Sequence, residues 1–224
     1  MKKTFINFCR ESAEEDIQDV LRKKALTPLL NMKQTFAVNY NIYSFSPQQL
    51  IPLKSDIIWL LKGGQVKSFI WNEQGNSITL GYWGSGDVVG KSLSITKDPQ
   101  QIQCLTPVEA YCIPCQRWYC LAEQICHHAR QSQELLAIVR TQKVHERLKQ
   151  FLLWLGDKFG HQDRGGKLVD VRLTHQEIAE AIGTTRVTIT RLLNQFEDEG
   201  LIRRPRRHFI LLTSNSRVSA HKQP

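Results

Sequence analysis

The sequence predicts an α+β protein built in three successive parts: an N-terminal β-roll (a double-stranded β-helix), a linking helix and a C-terminal winged helix-turn-helix. Three observations carry this prediction. From Phe36 to Pro114 the apolar pattern runs in short period-two stretches broken by regular turns. From Arg117 no glycine or proline occurs until Gly156, which suits continuous helix. The stretch Leu173 to Leu193, LTHQEIAEAIGTTRVTITRLL, then has the cap, stripe, glycine, cap and stripe of two short helices meeting at a turn. The corresponding domains are residues 1–125 for the roll, 126–143 for the linking helix and 144–213 for the winged unit, with a polar tail over 214–224.

Taken in order, Ser12 to Lys24 reads as a helix, with Ser12 and Glu15 as a capping box and Ile17, Val20 and Leu21 as its stripe. Asp56 to Leu61 is a strand ending at the Gly63-Gly64 turn. Gln65 to Trp71 and Ser77 to Trp83 flank Asn72 to Asn76 as a hairpin, and Gly84 to Asp87 turns the chain into Val88 to Gly90. Such closely spaced strands suit a barrel or roll. Gln131 to Lys143 reads as the linking helix, Val144 to Phe159 as the first helix of the winged unit, His161 to Gly166 as a loop and Leu168 to Leu173 as a strand. Within the winged unit, Thr174 and Glu177 form a capping box, Ile178, Ala181 and Ile182 an apolar face, and Gly183 the turn. Thr184 or Thr185 caps the second helix, whose Ile189, Leu192, Leu193 and Phe196 fall at the spacing of a buried stripe. After Gly200, RRPRRHFILLT reads as two short strands around a basic turn, with Arg203, Arg204, Arg206 and Arg207 in reach of phosphate.

The face left over on the second helix has the chemistry for reading DNA. Arg186 and Arg191 can each grip guanine O6 and N7 with two parallel hydrogen bonds, and the methyls of Val187 and Thr190 can meet the methyl of thymine. Asn194 shares that side. The first turn of a recognition helix is the part that reaches base edges. We therefore expect base contacts from Arg186, Val187, Thr190 and Arg191, and backbone contacts from Thr174, His175, Gln176, Thr185, Arg206 and Arg207.

The 224 residues carry a formal charge of +9, which favours a polyanionic partner. The excess lies beside the helix-turn-helix, and this points to double-stranded DNA rather than an anionic membrane. No apolar run reaches the roughly 18 residues needed to span a bilayer, and MKKTFINFCRESAEED lacks the apolar core of a signal peptide. The expected location is the cytoplasm. Cys9, Cys104, Cys112, Cys115, Cys120 and Cys126 should then stay reduced. The Cys112-x-x-Cys115 spacing, followed by His127 and His128, keeps open a redox- or metal-responsive alternative through the Cys104 to Cys126 cluster. Without a second such pair, thiols buried at a strand end and in the next helix are the favoured reading, and no metal or cofactor is expected. A cupin-type enzyme would need histidines inside the roll, yet none precedes His127. Phosphate-binding and nucleophile motifs are also missing, so no catalytic residue is assigned.

Two stretches, IIWLLKGGQVKSFIWNEQGNSITLGYWGSGDVVG and LTHQEIAEAIGTTRVTITRLLNQFEDEGLI, resemble the Crp/Fnr superfamily of bacterial transcription regulators. The resemblance spans nearly the whole chain, and its TRVT…TRLL segment is most similar to the cyanobacterial nitrogen-control regulators. It implies a cyclic-nucleotide-binding-like roll, a homodimer, RNA polymerase as a further partner, and an activator of nutrient (nitrogen or sulfur) assimilation genes. Arg186 and Arg191 fall where cAMP-receptor proteins have base-reading arginines. Val187 replaces their glutamate, which implies a palindrome of GTA and TAC half-sites. Thr174, His175 and Gln176 match positions near the phosphate backbone. The effector pocket would fall at Gly86, Val89, Gly90, Lys91 and Ser92. Here Lys91 stands in place of the glutamate that holds a ribose, and Asp98 to Gln103 lacks the arginine that holds a cyclic phosphate, so the effector should not be cAMP. Lys91, Lys97 and Arg130 read as solvated surface rather than as an anion pocket. The N-terminal cysteine cluster of the iron–sulfur branch and the roll histidine of the haem branch are both missing. The linking helix is also shorter than in the nitrogen-control regulators by roughly ten residues, about three turns, so their 2-oxoglutarate site does not carry over.

Overall fold

The computed structural model describes residues 41–94, 99–163, 166–205 and 208–212. The expected helix at Ser12 to Lys24, Cys9, Lys97, Arg206, Arg207 and the tail from Ser214 lie outside these ranges. Among the described residues seven strands form the roll: β1 (Ile42–Phe45), β2 (Ile57–Gly63), β3 (Val66–Trp71), β4 (Ser77–Trp83), β5 (Val88–Val89), β6 (Gln101–Cys104) and β7 (Val108–Pro114). They make two sheets, ordered β1-β7-β2-β5 and β4-β3-β6, and every pairing is antiparallel.

The period of two in the sequence decides which side chains meet. On β2, Trp59 and Leu61 point into the roll with Phe45, Val66, Trp83, Ile102, Cys104 and Val108. Their neighbours Ile58 and Leu60 join Val88, Ile113 and Leu121 in a second cluster, so β2 is buried on both faces. The β3–β4 hairpin closes where predicted: the Asn76 amide donates to the Asn72 side chain at 2.8 Å, and Gly75 takes φ +75°.

Two 3₁₀ turns over Cys115–Leu121 lead into α1 (Ala122–Arg140). At 19 residues this helix is ~28 Å long, and it starts nine residues before the predicted Gln131. It ends at Arg140, and residues 141–143 form a short break before α2 (Val144–Phe159). The winged unit follows with β8 (Gly160–Asp163), β9 (Gly166–Val169), α3 (His175–Ile182), α4 (Arg186–Asp198), β10 (Ile202–Arg203) and β11 (Phe209–Leu211). Its sheet is ordered β10-β11-β9-β8. Two expectations are corrected here. His161 to Asp163 and Gly166 are strand rather than loop, because β8 pairs with β9 from Gly160↔Val169 to Asp163↔Gly166. The strand predicted over Leu168 to Leu173 ends at Val169; Val171 and Leu173 are buried without being in a strand.

One apolar cluster unites the winged unit with both other parts. Phe151, Leu155, Ile178, Ile189, Leu193 and Phe196 form its centre, Leu135 and Ile138 enter from α1, and Tyr82 enters from the roll. Tyr82 is fully buried, with its ring 6.0 Å from that of Phe151. Arg147 ties the break to the helix-turn-helix: Nε donates to the Thr141 carbonyl at 2.9 Å and Nη1 to the Ile182 carbonyl at 2.6 Å. A cation placed on the last carbonyls of α3 also offsets that helix's dipole.

Candidate nucleic-acid interface

The two helices of the helix-turn-helix begin and end as their sequences dictate. Thr174 Oγ1 accepts from the Glu177 amide at 3.2 Å, and the Glu177 carboxylate accepts from the Thr174 amide at 2.8 Å, a complete capping box. Gly183 ends α3 in the left-handed region, at φ 67°. Of the two candidate caps for α4, Thr185 takes the role, accepting from the Thr188 amide at 3.2 Å. Ile189, Leu192, Leu193 and Phe196 are all buried. This leaves Arg186, Val187, Arg191 and Asn194 exposed on the opposite side, Val187 at 79 %. A 79 % exposed valine on a well-packed helix has no role in the fold itself.

Thr190 differs from its neighbours. Its hydroxyl donates to the Arg186 carbonyl at 3.0 Å and lies 2.8 Å from Nδ1 of His175. With the hydroxyl proton committed to that carbonyl, Nδ1–H of His175 donates to the hydroxyl oxygen and Nε2 is left as an acceptor. Burial, then the nearby charges of Arg204 and Arg186, push the His175 pKa below its ordinary value. Thr174, Gln176 and Thr185 are exposed around it.

Arg204 corrects the expectation that the basic turn is free to reach phosphate. Its Nε donates to the Glu197 carboxylate at 2.8 Å and its Nη2 to Asn194 Oδ1 at 2.7 Å, while its own amide donates to Glu197. Arg204 thus straps the wing to α4, and Arg203 is the exposed arginine beside it. β10 and β11 pair antiparallel as the two predicted strands.

A groove of about 1080 Å³ joins these pieces, walled by Arg172, Arg186, Arg204, His175 and the start of α3 on one side and by Gln48 and Leu105 of the roll on the other. Its two carboxylates are both committed: Glu197 to Arg204, and Glu177 to the cap and to Lys67, 3.7 Å away. The remaining charge is positive, which suits a phosphodiester. Sequence reasoning missed Arg172, Gln48 and Lys67. Lys67 did leave a signal, being a lysine inside the buried strand VKSFIW and only 5 % exposed.

The five positions expected for an effector are spread over a turn, the core and the surface. Gly86 makes the turn at φ +83°, Val89 packs into the roll, and Gly90 backs onto the Ile57 carbonyl. Lys91 is exposed, and the Ser92 hydroxyl donates to the Ser55 carbonyl at 3.2 Å and lies 3.0 Å from Cys115 Sγ. The thiols are not uniformly buried as expected: Cys104 is, Cys112, Cys115 and Cys120 are half-buried, and Cys126 is exposed. Burial pushes the Cys104 thiol up to about 11, which leaves it inert at neutral pH. Among the described residues, no group of three or more His, Cys, Asp and Glu side chains stands ready to hold a metal, and no helix is long and apolar enough to cross a membrane.

The profile of the Crp-like helix-turn-helix domain matches residues 146–215. The regulatory protein CysR of Synechococcus elongatus is 38 % identical over 167 residues, covering 72 % of this chain and 79 % of the relative. The chain belongs to the Crp/Fnr family of transcription regulators. A global nitrogen regulator of a Nostoc species is 27 % identical over 202 residues, 82 % of this chain and 90 % of the relative. Among solved structures, a CRP-family transcriptional regulator of Thermus thermophilus superposes with a TM-score of 0.66 at 23 % identity, over 78 % of this chain and 93 % of that one. That likeness shows the shared fold. The Crp/Fnr relatives are regulators of transcription rather than enzymes, and the protein is a DNA-binding regulator of the same kind.

Proposed function

We propose that this Crp/Fnr regulator is a cytoplasmic homodimer that reads a palindrome of GTA and TAC half-sites and, with RNA polymerase as partner, activates nitrogen or sulfur assimilation genes. Residues 1–125 serve as the sensor, 126–143 as the dimerising link and 144–213 as the DNA-binding unit, with 214–224 as a polar tail. Any small-molecule effector it senses is other than cAMP. Arg186, Val187, Thr190 and Arg191 face the bases; Thr174, His175, Gln176, Thr185, Arg206 and Arg207 face phosphate. The observation that carries the reading is the α4 surface, where Arg186, Val187 and Arg191 are exposed opposite a fully packed stripe. A dimer would set two such helices about one turn of DNA apart, ~34 Å.

The deciding experiment is equilibrium binding of the purified protein to a GTA/TAC palindrome and to a scrambled duplex at two salt concentrations. Preference for the palindrome, on top of a steep salt dependence shared by both duplexes, is the expected result. Equal affinity for the two sequences would refute the proposed site residues or the proposed operator.

A further inference from the structure

Three parts of the chain meet at one buried charge. Asp87, in the turn after β4, is 5 % exposed, and Lys158, near the end of α2, approaches its carboxylate to 2.8 Å. Gln131 of α1 completes the group: its Nε2 donates to the other Asp87 oxygen at 3.1 Å, and its Oε1 accepts from Lys158. His127 of α1 stands 3.7 Å from the same carboxylate. The Lys158 ammonium lies over three aromatic faces, 4.9 Å from the centre of Trp83, 5.5 Å from Phe159 and 5.7 Å from Trp154. Roll, linking helix and DNA-binding unit each supply at least one of these groups.

The surroundings make this pair directional rather than merely cohesive. Five residues before Asp87, Tyr82 is packed tightly into the winged unit. Asp87 and Lys158 themselves border a cavity of about 760 Å³ between the same three parts, lined also by Gly64, Ser85, Glu134, Trp154 and Asp170. A joint packed at one point and open at another can pivot. At this cavity Gln65 Nε2 donates to the Asp170 carbonyl at 2.6 Å and Trp154 Nε1 to the Glu134 carboxylate at 3.1 Å, while the Asp87–Lys158 ion pair joins the roll to the DNA-binding unit. Apolar contacts tolerate sliding, whereas a hydrogen-bonded ion pair is held to a narrow range of distance and angle.

We propose that Asp87 and Lys158 are positioning residues: their ion pair fixes the angle at which the DNA-binding unit is held against the roll, and so presets the geometry of the two recognition helices. The proposal rests on the dimeric, palindrome-reading function above. A buried ion pair broken at one end leaves the other charge uncompensated, so either single substitution should release the joint. Each helix-turn-helix would keep its own fold and its grip on a single half-site, while losing the preorganisation that makes two half-sites bind together.

The test compares Asp87→Asn, Lys158→Met and Lys158→Arg with the parent protein on two duplexes, the full palindrome and one with a single half-site. Tryptic cleavage at Arg140 and Lys143, which flank the break before α2, reports the joint without DNA. For Asp87→Asn and Lys158→Met the ratio of palindrome to half-site affinity should fall tenfold or more, with half-site affinity within twofold and cleavage faster. Lys158→Arg should retain both parent values. An unchanged ratio, or equal losses on the two duplexes, would overturn the proposal. If the parent protein itself ignores the palindrome, the operator reading fails, and the cleavage rates alone decide: equal rates in parent and variants reject the latch.

Discussion

At the scale of single residues, the proposed phosphate role of His175 would link DNA binding to protons. In the free protein its pKa is depressed and its outward nitrogen is an acceptor, which cannot donate to phosphate. A phosphate at the start of α3 would favour the imidazolium, so binding should take up a proton. Affinity is then expected to rise as pH falls through 6.5, and His175→Gln should flatten that profile; a parallel pH dependence in both proteins would count against the phosphate role. Arg191→Ala should cost about 1–3 kcal/mol on the proposed palindrome and relax preference at one base pair, read from affinities against single-base variants. Arg204→Ala belongs to a different class. Because its guanidinium is spent on Glu197 and Asn194, its loss should loosen the wing, lower the melting temperature and weaken all sequences alike.

At the scale of elements, the helix-turn-helix was legible because its signals are local. Thr174 and Glu177 are three residues apart, a glycine at 183 takes φ 67° without strain, and the stripe of α4 repeats every turn. Gly183→Ala is accordingly expected to lower stability by about 1 kcal/mol in chemical denaturation, although a Cβ there would meet only Arg147, at 3.7 Å. β8 was illegible for the opposite reason: Gly-His-Gln-Asp has no apolar alternation, and its place in the sheet comes entirely from its partner β9. The start of α1 was hidden by the two 3₁₀ turns over Cys115–Leu121, whose cysteines drew attention as chemistry when they act as a corner. His128 shows what such packing does. Its ring stacks on Trp83 with centroids 3.9 Å apart, and burial lowers its pKa. The unfolded chain therefore holds more protons than the folded one just below pH 6.5, and stability should fall as pH drops through 6.5. His128→Leu should remove part of that acid sensitivity, measured as denaturation midpoints at pH 7.5 and 5.5.

At the scale of the whole molecule, the roll and the recognition unit are joined by pairs that no sequence window contains. Lys67 meets Glu177 across 110 positions, Gln65 meets Asp170 across 105, and Asp87 meets Lys158 across 71. Period and capping speak only of neighbours within a turn or a strand. They divided the chain into its parts but said nothing of the angle between them.

Tyr82 bears on how such a regulator could exchange its sensor. A recombination that joined residues from 144 onward to a foreign roll would keep every exposed side chain of α4 yet leave a hole against Phe151 where a phenol ring belongs. Shuffling of input domains is then restricted to rolls that bring a large ring to that place. Together with the three polar pairs, that one ring ties the ancestry of the roll to that of the winged unit.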